Sequence, residues 1–198
     1  MTYKELKSTT APDRETALSL LKKYLKNEGL LRHALAVEAV MAHFAVLFGE
    51  DREKWSVIGL IHDIDYEMYP DEHCLKAGEI LRDHNWPADY IRSVQSHGWK
   101  ICTEIEPVHR MEKVLYAVDE LTGLIAATVY MRPDRNIAGL EVSSVKKKWK
   151  QKSFAAGVNR EVIEEGAAML GMELDTLIGE TINGMRLAAR ELGLAGKE

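Results

Sequence analysis

Apolar side chains recur every three to four residues over most of this chain, the period of a helix that buries one face. Thr10 and Pro12 precede a first helix carrying Leu18, Leu21, Tyr24 and Leu25, which Asn27 and Gly29 close. A long helix follows over about 30–48 and stops at Gly49. Asp51 caps the next, which runs through Trp55, Ile58 and Ile61 to His62 and Asp63. Tyr69-Pro70-Asp71 is a turn that starts a helix of about 72–84. Asn85-Trp86-Pro87 sets a proline in the first turn of a helix that stops at Gly98. Residues 99–109 read as a loop. A strongly patterned helix covers about 110–128, with Met111, Val114, Leu115, Val118, Leu121 and Ile125 on one side. After the turn residues 132–136 the character changes. A short lysine-rich helix spans about 141–152, and Asn159 caps a helix of about 160–170 closed by Gly171. The last helix carries Leu174, Leu177, Ile178, Ile182, Met185 and Leu192.

No segment shows convincing strand alternation, and no repeat occurs. The pattern predicts an all-α fold: a helical core over 1–130 and a C-terminal helical cap over 131–198, divided near Pro133 and packed as one unit.

Composition narrows the function classes. With 46% hydrophobic and 29% charged residues the chain reads as an ordinary globular protein, and its net charge of −5 removes bulk attraction to nucleic acid or anionic membranes. Any basic function must be local, and nucleic acid is not an expected partner. The N-terminal MTYKELKSTTAPDRE has no apolar region of the signal-peptide kind. No apolar run approaches the roughly 20 residues of a membrane span. A cytoplasmic protein is expected, with a homodimer as one possible assembly. Cys74 and Cys102 form no CxxC pair and read as reduced packing residues.

The candidate chemistry lies in polar residues on apolar faces. His33 shares its stripe with Val37, Val40 and Phe44, Asp119 borders the stripe one turn after Leu115, and His62-Asp63 closes an apolar run. Each alone is compatible with a hydrogen-bonded core residue. Together, on three helices, they need a common partner, because a buried carboxylate is costly unless it is paired or bound to a metal. Imidazole and carboxylate suit Zn, Fe, Mn, Ni or Co, with Mg also possible.

The order His33, His62-Asp63, Asp119 on helices, with the string HDID over 62–65, resembles the HD superfamily of metal-dependent phosphohydrolases over about residues 30–125. The whole chain is also similar to a group of predicted HD hydrolases without an assigned substrate, through strings such as LYAVDELTGLI and KSFAAGVNRE. The resemblance implies an HD-domain helical bundle in which His33, His62, Asp63 and Asp119 ligate a divalent metal. It further implies that His73 and His97 add a second ion where two are bound, with Asp63 as the bridge. One ion and two ions both remain open.

The chemistry implied is attack of metal-activated water on phosphorus. Asp63, Asp65 and Glu67 are the candidate catalytic carboxylates, although Asp65 and Glu67 also read as a solvated acidic turn. Asp65 stands where the family motif usually has glycine. Glu120 and Thr122 flank Asp119 and are placed to orient ligands, while Thr122 more simply bonds its own helix backbone. Lys146, Lys148, Lys152, Arg160 and Arg132 are candidate substrate-binding cations, with Trp149 among them to stack on a base. The alternative for that run is a solvated lysine face. His43, His84 and His109 read as structural, and His84 alone continues the His73 stripe. Three functions follow: hydrolysis of a phosphate ester such as a nucleotide, oxidation of a small molecule at two irons, or metal-dependent nucleotide sensing without turnover.

Overall fold

In a computed structural model describing residues 11–196, every regular element is a helix, and the only pairings of strand type among those residues are two isolated bridges. The first helix, α1 (Arg14–Tyr24), starts at Asp13, whose carboxylate accepts the Thr16 amide at 2.8 Å; Thr10 lies outside the described residues, as do the first ten of MTYKELKSTTAPDRE. Asn27, expected to close α1, instead opens α2 (Glu28–Phe48) by accepting the amides of Gly29 and Leu30. The joint is so short that the stop of one helix and the cap of the next fall on the same residues. Gly49 ends α2 in the left-handed region at φ 70, and Asp51 caps α3 (Arg52–Ile61).

The helix expected over 72–84 is divided. Pro70–Glu72 is a separate 3-10 turn, and α4 (Leu75–Asp83) begins only after Cys74, whose φ of 65 no α-helix accommodates. Pro87 sits just ahead of α5 (Ala88–Ser96) rather than inside its first turn. Then come α6 (Arg110–Tyr130), α7 (Val142–Trp149), α8 (Arg160–Leu170) and α9 (Leu174–Leu187). Leu192 falls in a turn beyond α9 and is still buried.

The packing centres on α2 and α6. Leu115, Val118, Leu121, Leu124 and Ile125 of α6 are fully buried, each contributing about 1.5–3 kcal/mol of transfer free energy. α3 approaches α2 so closely that a Cβ on Gly59 would lie 2.9 Å from Met41 Cγ and 3.0 Å from the Val37 carbonyl oxygen. One apolar core runs from Leu20 and Leu21 through α2, α3 and α6 to Ile163, Ile178 and Met185, so residues on both sides of Pro133 share it.

α2 corrects one sequence expectation. By length and composition it is apolar enough to cross a membrane, but half of its most apolar window is buried inside the protein. It also carries Glu38, which receives Arg14 and Ser56.

Candidate metal centre

Five elements deliver six donors to one place. His33 comes from α2, His62 and Asp63 follow the last residue of α3, His73 follows the 3-10 turn, His97 follows α5, and Asp119 lies in α6. His33 Nε2 is 2.9 Å from Asp119 Oδ1 and 3.7 Å from Asp63 Oδ2. His62 Nε2 is 3.3 Å from Asp119 Oδ1 and 3.4 Å from Asp63 Oδ1. His97 and His73 bring Nε2 to 3.4 and 3.5 Å from the same Asp63 oxygen.

The opposite edge of each ring is already engaged. His62 Nδ1 donates to the Gly59 carbonyl at 2.8 Å, His97 Nδ1 to the Val94 carbonyl at 2.5 Å, and His73 Nδ1 to Asp65 Oδ1 at 2.8 Å. His33 Nδ1 lies 3.3 Å from Thr122 Oγ1, whose hydroxyl donates to the Asp119 carbonyl at 2.8 Å. A neutral imidazole carries one N–H, so these anchors turn four Nε2 lone pairs inward. Two of them, on His73 and His97, face each other at 3.1 Å, and His62 Nε2 is buried with no hydrogen-bond partner.

Such an arrangement attracts positive charge. Burial alone would raise the Asp63 carboxyl, but His62, His97 and His33 hold it well below the usual carboxylate range. Asp119 is half-buried and likewise held low, by His62 and His33. In return, burial of His97 is outweighed by its bond to Asp63 and the nearby Asp119 charge, which lift it to about 9; His33 is raised despite burial by Asp119. A divalent ion satisfies the same carboxylates and lone pairs in place of protons. Two ligands each about 2.1 Å from one ion stand about 3.0–3.4 Å apart, close to the donor separations here. The residues present therefore fit a metal, in overlapping groups: His33, His62 and Asp119 form one, and His62, Asp63 and His97 another.

A sequence profile of the HD domain matches residues 30–143, more than half of the chain and all six donors. The chain belongs to the HD-domain family. HD domains bind divalent metals, and most are metal-dependent phosphohydrolases. No solved structure matches the chain.

The HD centre opens into a cavity of about 300 Å³ whose walls include Tyr66, Gly98, Cys102, Glu120 and Val158. Asp65 does not line it. That carboxylate is fully buried, with Oδ1 on His73 and Oδ2 accepting the Ala77 amide at 2.7 Å, so it fixes the His73 ring. Glu67 lies on the surface, accepting the amides of Lys26 and Asn27 at the joint between α1 and α2. Glu120 does line the cavity. One of its oxygens accepts the Asn159 amide at 3.1 Å, and burial together with the Asp119 charge raises its carboxyl. Thr122 fills both roles read from its position, bonding its own helix backbone while meeting His33.

The basic residues are not brought to this cavity. Lys146 pairs with Asp175 at 2.7 Å, Arg132 with Asp134 at 3.0 Å, and Lys148 Nζ lies 4.8 Å from the centre of the Phe154 ring. Lys152 is exposed. Arg160 donates to the carbonyls of Phe154 at 2.7 Å, Trp149 at 3.1 Å and Val158 at 3.3 Å, clamping the loop before α8. That segment reaches the cavity through Gly157 and Val158 instead.

Three histidines stand apart. His43 pairs with Glu180 at 2.7 Å, His84 donates to the Ile80 carbonyl and meets Tyr24 edge-on, and His109 precedes α6. Tyr66 and Cys102 were not singled out by sequence as cavity residues. Tyr66 had a usable signal, its position three residues after Asp63 in the turn that follows the His62-Asp63 pair. Cys102 had none.

Proposed function

We propose that the protein hydrolyses a small phosphate monoester, using water activated by one or two divalent ions held by His33, His62, Asp63, His73, His97 and Asp119. The observation that carries this reading is the set of four imidazoles anchored at Nδ1 with every Nε2 turned toward the buried Asp63 carboxylate or the half-buried Asp119 carboxylate. When bound, a divalent ion lowers the pKa of a water toward neutrality and withdraws charge from a phosphoryl oxygen. Asp63 serves both halves of the site, with Oδ2 toward His33 and Oδ1 toward His62, His73 and His97. Glu120 is the carboxyl in the cavity wall outside the ligand set, and it is the group we assign to carry a proton to the leaving oxygen.

The cavity favours a substrate of low charge. Among the described residues none of its lining side chains is Lys or Arg, so the ions must meet the phosphate charge themselves. A polyphosphate is poorly served there. A second cleft of about 560 Å³ lies between α2, α6 and the end of the chain, sharing His33 and Gly123 with the first. Apart from Arg32 its walls are largely apolar, with Ala36, Ala126, Met185, Leu192 and Leu194, and suit a mainly apolar remainder of the substrate.

The test is phosphate release from a panel of monoesters and nucleoside triphosphates, with Mn, Co, Ni, Mg or Zn supplied and metal content measured in the same sample. Metal-dependent release from monoesters is the expected result. No release by protein shown to be loaded overturns the reading. The lack of cationic lining also favours a second reading, oxidation of a small molecule at two irons. Iron in the purified protein, with an optical or EPR signal that responds to an added small molecule, would select it.

A further inference from the structure

Cys74 and Cys102 are 28 positions apart in the chain, yet their sulfur atoms lie 3.2 Å apart. The backbone bends on both sides to achieve this. Cys74 is held at φ 65, a region that side-chain-bearing residues avoid. Cys102 returns on a loop gathered by one carbonyl: Gly98 O accepts the amides of Ile101, Cys102 and Thr103 at 3.0, 2.9 and 3.1 Å, and Lys100 within that loop is at φ 63. Gly98 lies beneath both sulfurs. A Cβ there would sit 2.6 Å from Cys74 Sγ and closer still to Cys102 Sγ. Gly98 is not at positive φ, so close approach, rather than the helix stop read from sequence, requires a glycine there. Packing alone gives two small thiols no reason for two strained residues and a bare Cα.

We propose that Cys74 and Cys102 form a reversible dithiol–disulfide pair in the wall of the metal cavity, oxidised by exchange with a small-molecule disulfide. Accessibility sets the order of steps. Cys102 is half-buried and lines the cavity, whereas Cys74 is buried. The Cys102 thiolate attacks one sulfur of the incoming disulfide, which breaks its S–S bond and expels one thiolate. Cys74 then loses its proton and attacks the Cys102 sulfur of the mixed disulfide, expelling the second thiolate. Two protein thiols lose two electrons and two protons, and the small disulfide is reduced to two thiols. The sulfurs must close from 3.2 Å to about 2.05 Å. Closing that gap shifts sulfurs that abut the site: Cys74 Sγ lies 3.9 Å from His97 Nε2, Cys74 is bonded directly to His73, and Cys102 lines the cavity. On the metal reading given above, oxidation therefore weakens ion binding at the His73–His97 end.

The test uses the full chain stripped of metal by chelation and equilibrated over a series of glutathione disulfide to glutathione ratios. Acid trapping, alkylation and intact mass then count the thiols. In the wild type both thiols should vanish in a single transition, without a glutathione adduct, and return on treatment with dithiothreitol. Cys74→Ser should leave Cys102 carrying glutathione, and Cys102→Ser should leave the buried Cys74 free. Two free thiols at every ratio, a stable adduct on wild-type Cys102, or a covalent dimer would overturn the pair. Mn(II), which thiolates bind poorly, reports the coupling. About one ion per chain should be lost on oxidation and recovered on reduction. Equal Mn content in both forms overturns the coupling and leaves the pair standing. A reduced form that takes up none of Mn, Co, Ni, Mg or Zn overturns the metal reading instead.

Discussion

The HD centre and the lysine-rich segment around α7 both look like functional sites in the sequence, and the structure treats them in opposite ways. At the centre each imidazole commits one nitrogen to the protein and turns the other inward, where the donors meet mainly one another and His62 Nε2 is buried with no hydrogen-bond partner. In the lysine-rich segment Lys146, Lys148 and Arg160 already have partners: a carboxylate, an aromatic ring and a row of carbonyls. Density of charge along a chain says little about a site. Unmet bonding capacity in a place closed to water says a great deal, because it carries a free-energy cost that only a ligand removes.

The largest effect should come from the residue that both halves of the centre share. Asp63→Ala removes the carboxylate facing His33, His62, His73 and His97. Loss of an outer partner to a metal ligand typically costs 10–100-fold, so loss of this carboxylate should lower metal affinity and turnover by more than about 100-fold. Elemental analysis beside kcat/KM checks it. Asp65→Ala should fall inside that 10–100-fold range, since it frees His73 without removing any cavity donor. Competition with a chelator gives the affinity. A near-normal value would mean that His73 takes no part in holding an ion.

Much of the fold was legible because burial imposes a period. Leu115, Val118, Leu121 and Ile125 repeat at helical spacing for the same reason that they are fully buried. Boundaries were less legible where one signal served two elements. Asn27 reads equally as the end of α1 and the cap of α2, and only the short joint decides. The division of the 72–84 helix depends on the positive φ of Cys74, which local sequence does not favour and tertiary packing imposes. At the site, the sequence displays polar residues on apolar stripes. It does not display distances. Nothing local reveals that Asp65 is consumed by His73 and the Ala77 amide, that Arg160 turns back on its own loop, or that two distant thiols meet over Gly98.

Arg160→Ala sharpens the comparison from the other side. It leaves the carbonyls of Trp149, Gln151, Phe154 and Val158 without a charged donor, at about 1.5–3 kcal/mol for a bond of that kind, and the loop carries Gly157 and Val158 to the cavity. Denaturant unfolding should show a loss of about 2–3 kcal/mol with metal content unchanged. Lys148→Ala should do less, about 0.5–1 kcal/mol for its contact with Phe154, and should move KM by less than about twofold. A tenfold rise in KM would return the lysine segment to substrate binding and erase the contrast between the two regions.

The smallest effect separates two histidines of one helix. His33 belongs to a shared centre, whereas His43, ten residues on in α2, meets the single carboxylate of Glu180 at 2.7 Å. The bond from His43 outweighs partial burial and holds the Glu180 carboxyl below its ordinary value of 4.5. A carboxyl depressed in the folded state contributes stability that is present above its unfolded pKa and lost as pH falls through the folded one. The contribution is thus complete above about pH 5 and fades in more acid solution. Since both partners are partly exposed, it amounts to about 0.5 kcal/mol. Glu180→Gln should lower stability by that amount at pH 6 and by nothing at pH 2, a difference readable in paired urea melts. Removal of bound metal should leave the difference unchanged, because this pair lies outside the ligand set. If chelation abolished it, α9 would be coupled to the centre through α2, and the two histidines would belong to one system.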